Sequence, residues 1–140
     1  LIDALSEKRA VYATDCVSHA LKLASRGFEV IVLGGSLKSA TEALVGPDAN
    51  AAINRYHFTL GFWGTNGATP EDGFTTPDFA EAEIKRLSMA QTIHRFVLAD
   101  ASKLGRTSLV TFGDFRSATI VTTALPEDSA FATLENVEVV

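Results

Sequence analysis

Short apolar runs alternate along this chain with stretches of helical period. Runs at residues 10–14 (AVYAT), 29–33 (EVIVL), 57–62 (HFTLGF), 95–99 (RFVLA) and 118–122 (ATIVT) have the length of strands. Their nearly continuous apolar character suits strands buried on both faces. A sixth run at residues 137–140 (VEVV) reads as an edge strand. Between the first two runs, Val17, Ala20, Leu21 and Ala24 fall at i, i+3, i+4 and i+7, with Asp15 placed as N-cap and Gly27 as stop. Ala49, Ala52, Ile53 and Tyr56 repeat that spacing behind Gly46 and Pro47, a proline the first helical turn tolerates because its N–H needs no partner. A third helix is predicted to open at Pro77, with Asp78 and Glu81 at capping-box spacing and Phe79, Ala82 and Leu87 towards the sheet. Pro126 is predicted to open a last one.

Strands alternating with helices predict an α/β domain, a three-layer arrangement of a parallel sheet flanked by helices. No segment has the composition of a linker and no repeat is visible, so residues 1–140 read as one domain. The start departs from the pattern: Ile2, Ala4 and Leu5 followed by Ser6-Glu7-Lys8-Arg9 resemble the tail of a helix with no strand before it. A doubly wound sheet begins with a strand and a phosphate-facing loop, so the first strand is expected upstream of Leu1.

Composition narrows the function classes. Twelve Lys and Arg against seventeen Asp and Glu leave a net charge of −5, the wrong sign for holding nucleic acid by phosphate neutralisation. The one cysteine, Cys16, excludes an intramolecular disulfide and reads as a small residue beside the sheet. No apolar run approaches the roughly 20 residues that span a bilayer, and no signal segment is visible, so a cytoplasmic protein with no membrane partner is expected. His19, His57 and His94 lack metal-ligand spacing, so no metal and no cofactor is expected. His57 and His94 open strands and read as structural, and Trp63 reads as core.

Candidate chemistry lies in loops at the carboxyl ends of the strands, where helix N-termini offer free N–H groups to anions. Gly34-Gly35-Ser36 allows close backbone approach to a ligand, or makes a tight turn. In Gly64-Thr65-Asn66-Gly67 the Asn66 amide suits a sugar hydroxyl, while the same residues could serve as a turn in which Asn66 or Gly67 supplies positive φ. Thr75 and Thr76 stand before the helix carrying Glu81 and Lys85; the hydroxyls and the ammonium suit one anion, and Glu81 and Lys85 equally suit an i, i+4 surface pair. Asp100, Ser102 and Lys103 lie in a loop that also holds Arg106, dense enough in polar groups for a ligand, though a solvated loop has the same composition.

The order of these motifs carries a resemblance. IVLGGSL at residues 31–37, LVGPDA at 44–49, GTNG at 64–67, GFTTPDFAEAEIKR at 73–86 and LADASKLGR at 98–106 together resemble the effector domain of the DeoR family. That resemblance implies a C-terminal sensor for phosphorylated sugars, attached to an N-terminal winged helix-turn-helix in bacterial transcriptional regulators, mostly repressors of sugar and nucleoside catabolism. It implies the fold of ribose-5-phosphate isomerase and glucosamine-6-phosphate deaminase, and DNA binding only through a domain not in this chain. It favours Asn66, Gly67, Thr75, Thr76, Glu81, Lys85, Asp100, Ser102 and Lys103 as pocket residues, beside Gly34 and Gly35. Position 66 is Asn where family members often have Asp, which removes a charge.

Two other classes remain. An isomerase or deaminase of the same fold would be expected to carry acids in the loop after the third strand; residues 64–67 have none, although Asp72, Glu81 and Asp100 stay available as bases. An oligomerisation module is the other, since readers of paired DNA half-sites are dimeric at least and Phe112, Phe115 and Phe131 could serve an interface or a core. A homo-oligomer is expected.

Overall fold

The computed structural model describes residues 1–125 and 129–140. The chain divides into two compact units, Leu1–Arg55 and Tyr56–Val140. The predicted opening of a last helix at Pro126 lies outside the described residues; beyond it, Ala130–Thr133 is a 3₁₀ turn capped by Ser129. Among the described residues no helix is long and apolar enough to cross a membrane.

In the first unit, β1 (Val11–Thr14) pairs in parallel with β2 (Glu29–Val32) through the crossover helix α1 (Val17–Ser25). A hairpin of β3 (Ser36–Lys38) and β4 (Ala43–Val45) precedes α2 (Pro47–Ile53), whose first residue is the predicted proline. Three details correct the expectations. Ile2–Ala4 is one 3₁₀ turn, not the tail of a helix. Cys16, not Asp15, is the N-cap of α1, and the Asp15 carbonyl instead accepts from Leu44 N at 2.7 Å. The buried positions of α1 are Ala20 and Leu23, while Leu21 is 68% exposed. The apolar stripe is thus rotated from the predicted one, towards Leu23 and away from Leu21 and Ala24. Gly27 at φ +76° ends α1 as predicted, its N–H bonding Ala24 O at 2.9 Å.

The second unit is built on a four-stranded parallel sheet. β5 (Phe58–Gly64) is followed by β6 (Gly67–Thr69) and β7 (Gly73–Thr76), then α3 (Phe79–Ala90), β8 (Thr92–Leu98), β9 (Val110–Gly113), β10 (Thr119–Thr122) and β11 (Val137–Val139). The parallel order is β11-β10-β8-β5, which puts the last strand at an edge as predicted; β6, β7 and β9 form a separate antiparallel sheet. Asp78 caps α3 by accepting Glu81 N at 2.9 Å. The helix packs against both sheets, and Ala82 and Met89 join Trp63, Phe74, Val97, Phe112, Phe115 and Ile120 in the core. Trp63, Phe112 and Phe115 are therefore core residues, and Trp63 Nε1 satisfies itself on Ser88 Oγ at 2.9 Å.

Two expectations fail here. Phe79 is 74% exposed, because it stands at the first residue of α3, one turn before the first buried position, Ala82. The strands are not buried on both faces either. Val97 and Ile120 are fully buried, but Leu60 and Phe62 on the opposite face of β5 are exposed, with Phe62 stacked on Phe96 at 5.4 Å. Within this unit only one face is covered by α3 and the antiparallel sheet.

Candidate functional site

The carboxyl end of β5 is laced to two other loops by backbone and hydroxyl hydrogen bonds. Asn66 N donates to Thr75 O (3.0 Å), so the GTNG turn is tied to β7. Ser108 N donates to Thr75 Oγ1 (2.8 Å) and Gly105 N to Ala68 O (2.9 Å), so the segment after β8 crosses over the same turn. Gly67 makes that crossing possible: a Cβ there would stand 2.3 Å from Arg106 O and 2.7 Å from Thr75 Oγ1. Neither Asn66 nor Gly67 has positive φ, so the glycine is required for close approach and not for turn conformation. In this way residues far apart in sequence, from GTNG, TTP and DASKLGR, come to one rim.

The side chains differ in what they leave available. Thr75 is 1% exposed, and its hydroxyl both accepts from Ser108 N and donates to Gly67 O (3.2 Å), which uses it internally. Thr76 is equally buried and donates to Asn66 Oδ1 at 3.2 Å. With its oxygen so held, the exposed Asn66 amide has NH₂ donors that bond nothing among the described residues. Lys85 Nζ donates to Gly64 O at 2.9 Å and lies 5.0 Å from the Phe112 ring centroid, drawn towards the β5 terminus from α3. Glu81, half-buried at the third position of that helix, has its N–H on the Asp78 cap.

After β8, Asp100 caps the 3₁₀ turn Ala101–Lys103 by accepting Ser102 N at 2.8 Å, and it also accepts the Ser102 hydroxyl. The Ser102 hydroxyl, then the Ser102 N–H and the positive charge of Lys103, hold the Asp100 carboxyl below the ordinary aspartate range. Lys103 is half-buried, and its ammonium bonds no other side chain among the described residues. Gly34 and Gly35 follow β2 in the first unit. Nothing lies within 4 Å of a Cβ built on Gly34, whereas a Cβ built on Gly35, at φ +120°, would stand 2.6 Å from Val45 O and 3.0 Å from Ala49 Cβ.

Thr65 and Ser108 were not among the predicted site residues, yet they build the rim, as does the backbone of Arg106. The buried Thr65 hydroxyl is shared between Gly67 O (2.7 Å) and Thr75 O (3.0 Å). Hydroxyls embedded in glycine-rich turns were the only available signal, and such residues are as common in solvated loops. Among the described residues no three His, Cys, Asp or Glu side chains gather to hold a metal ion.

Comparison with known proteins adds the family. The family model of the DeoR C terminal sensor domain matches residues 1–124. The chain is 40% identical over 120 residues, 86% of its length, to the uncharacterized HTH-type transcriptional regulator FruR of Bacillus subtilis, covering 48% of that protein. It is 43% identical over 93 residues, 66% of its length, to the HTH-type transcriptional regulator GlpR of Haloferax volcanii, covering 36% of it. A third relative, the lactose phosphotransferase system repressor of Streptococcus mutans, is 28% identical over 104 residues, with 74% of this chain and 41% of that protein covered. The chain thus spans about half the length of the curated relatives it matches or less. It belongs to the family of DeoR C-terminal sensor domains.

Proposed function

We propose that residues 1–140 are one effector-binding domain of a sugar-metabolism transcriptional regulator, a repressor, that binds a phosphorylated sugar without transforming it. The observation carrying this reading is the lacing of GTNG, TTP and DASKLGR into one rim by the Gly105, Ser108 and Asn66 hydrogen bonds. The Asn66 amide recognises a sugar hydroxyl, and Lys85 and Lys103 supply positive charge for the phosphoryl group. Thr75, Thr76, Asp100 and Ser102 act as positioning residues: their polar groups hold Asn66, Gly67 and the loop that carries Lys103. Glu81, in the first turn of α3 that Asp78 caps, is a further candidate contact, and in the first unit Gly34 leaves an open approach while the side-chain position of Gly35 is closed by Val45 and Ala49.

A sensor needs differential affinity between two states, and the attached reader domain, a winged helix-turn-helix preceding this domain, would convert that difference into DNA affinity within a cytoplasmic homo-oligomer. The name of the lactose phosphotransferase system repressor supports the sign of regulation and the class of effector. The fold expected is that of ribose-5-phosphate isomerase, and the absence of a carboxylate in residues 64–67 favours a sensor over an enzyme on that fold.

Calorimetry of the intact protein against sugar phosphates and their parent sugars tests this. One phosphate ester is expected to bind, with Lys103→Gln weakening it by at least about tenfold. Binding by none of them, or equal binding of the parent sugars, overturns the sensor reading. Turnover of ribose 5-phosphate or glucosamine 6-phosphate overturns the non-catalytic part.

A further inference from the structure

At the opposite, amino end of the parallel sheet lies a cleft of about 280 Å³ lined by Ile93, His94, Arg95, Phe96, Arg116, Ser117, Ala118, Thr119 and Asn136. It exists because β8 outruns its neighbour. β10 pairs with β8 only from Phe96 onwards, at Thr119↔Phe96, so residues 93–95 continue without a β10 partner. The 3₁₀ turn Phe115–Ser117 and Asn136 line the gap left beside them.

The charge of this cleft runs against its surroundings. Tyr56–Val140 carries eleven Asp and Glu against six Lys and Arg, so it holds the whole net negative charge of the chain. Two of those six cations, Arg95 and Arg116, nevertheless line the cleft together with His94, and no carboxylate does. The two arginines reach it from separate elements. Arg95 is oriented by its Nε, which donates to Thr92 O at 2.9 Å; among the described residues its Nη groups make no hydrogen bond. Arg116 makes no side-chain ion pair among the described residues; the nearby Asp114 carboxylate accepts its backbone N–H at 2.8 Å. Asn136 is fixed as well, its amide donating to Phe115 O (2.8 Å) and Ala118 O (3.1 Å). Two guanidinium forks on a hydrogen-bonded frame suit a tetrahedral oxyanion, because each fork can donate two parallel N–H bonds.

We propose that this amino-end cleft is a second anion site, separate from the rim, that binds a phosphoryl dianion between Arg95 and Arg116. The dianion can come as inorganic phosphate or as the phosphoryl group of a metabolite, and both present the same three oxygens. The cleft uses none of the rim residues, so it stands or falls independently of the proposed sensor role.

The test is a ¹⁵N-resolved NMR titration of the full chain with inorganic phosphate and, separately, ribose 5-phosphate, at constant ionic strength with chloride as control. Saturable shifts are expected at residues 93–96, 116–119 and 136, unaffected by Lys103→Gln and weakened at least about tenfold in affinity by Arg95→Gln with Arg116→Gln. Tighter binding of phosphate assigns the site to the free ion, and tighter binding of ribose 5-phosphate to an ester. Arg116→Gln alone, on an exposed turn where a substitution is expected to cost little stability, supplies the same readout. Shifts confined to the rim, shifts reproduced by chloride, or an affinity unchanged by Arg116→Gln and by the double variant overturn the proposal.

Discussion

The two ends of the second unit's parallel sheet handle polar groups in opposite ways. At the carboxyl end, buried hydroxyls and backbone groups satisfy one another, and only a few donors stay on offer: Thr75 is bonded on both sides, Thr76 is spent on Asn66, and Asp100 is closed by Ser102. At the amino end, two guanidinium groups line a cleft with little internal bonding of their own. A rim built from mutually satisfied groups is rigid and vulnerable to loss of any member, because a buried donor left alone costs more than the bond was worth. A cleft that draws on a side chain as exposed as that of Arg116 tolerates substitution there in stability and loses only what it binds.

That contrast can be broken most forcefully at Gly67. Gly67→Ala forces a methyl group to within 2.3 Å of Arg106 O, and about 3 kcal/mol of stability is expected to be lost, read from the urea midpoint. A midpoint unchanged from the parent would mean that the crossing segment yields freely. Thr75→Val is next. It leaves Ser108 N without its buried acceptor and should cost about 2 kcal/mol in the same measurement, whereas a surface loop would register almost nothing. Asp78→Ala removes the cap of α3 and is expected to cost about 1 kcal/mol, recovered in part by Asp78→Ser.

The amino end supplies the small-effect limit: Arg116→Gln should move the urea midpoint by no more than about 0.5 kcal/mol equivalent while removing anion binding. A large stability loss there would make Arg116 a structural residue. Asp100 sharpens the comparison through pH. Its carboxyl is held low by Ser102, so the Asp100–Ser102 contact is present above the ordinary aspartate range and lost as pH falls through the lowered folded value. A ¹³C carboxyl titration should find the Asp100 midpoint below that of an ordinary aspartate, and Ser102→Ala should move it back up. An unmoved midpoint would assign the shift to Lys103 instead.

The parallel strands of the second unit were legible because short apolar runs such as FTLGF and RFVLA have the length and composition of strands, although Leu60 and Phe62 turn out exposed, and helix starts were legible where the cap is local, as at Pro47 and Asp78. Less legible was anything held by remote partners. The antiparallel sheet β6-β7-β9 reads as loop in sequence because strands of three or four residues, GAT, GFTT and VTFG, are too short and too rich in Gly and Thr to show an apolar period, and its pairing brings β9 to β7 from more than thirty residues away. Leu21 and Phe79 look like core residues by spacing alone, but which side of a helix is covered depends on what packs there.

Local chemistry, then, was enough to determine the class of fold, the rim-forming motifs and the family they resemble, since propensity, capping and motif order are properties of neighbouring residues. Which hydroxyls are consumed and which donors remain, why Gly67 must lack a side chain, and how Arg95 and Arg116 come to share a cleft were set by tertiary contact. Those outcomes depend on distances between residues remote in the chain, and such distances exist only once the strands have paired.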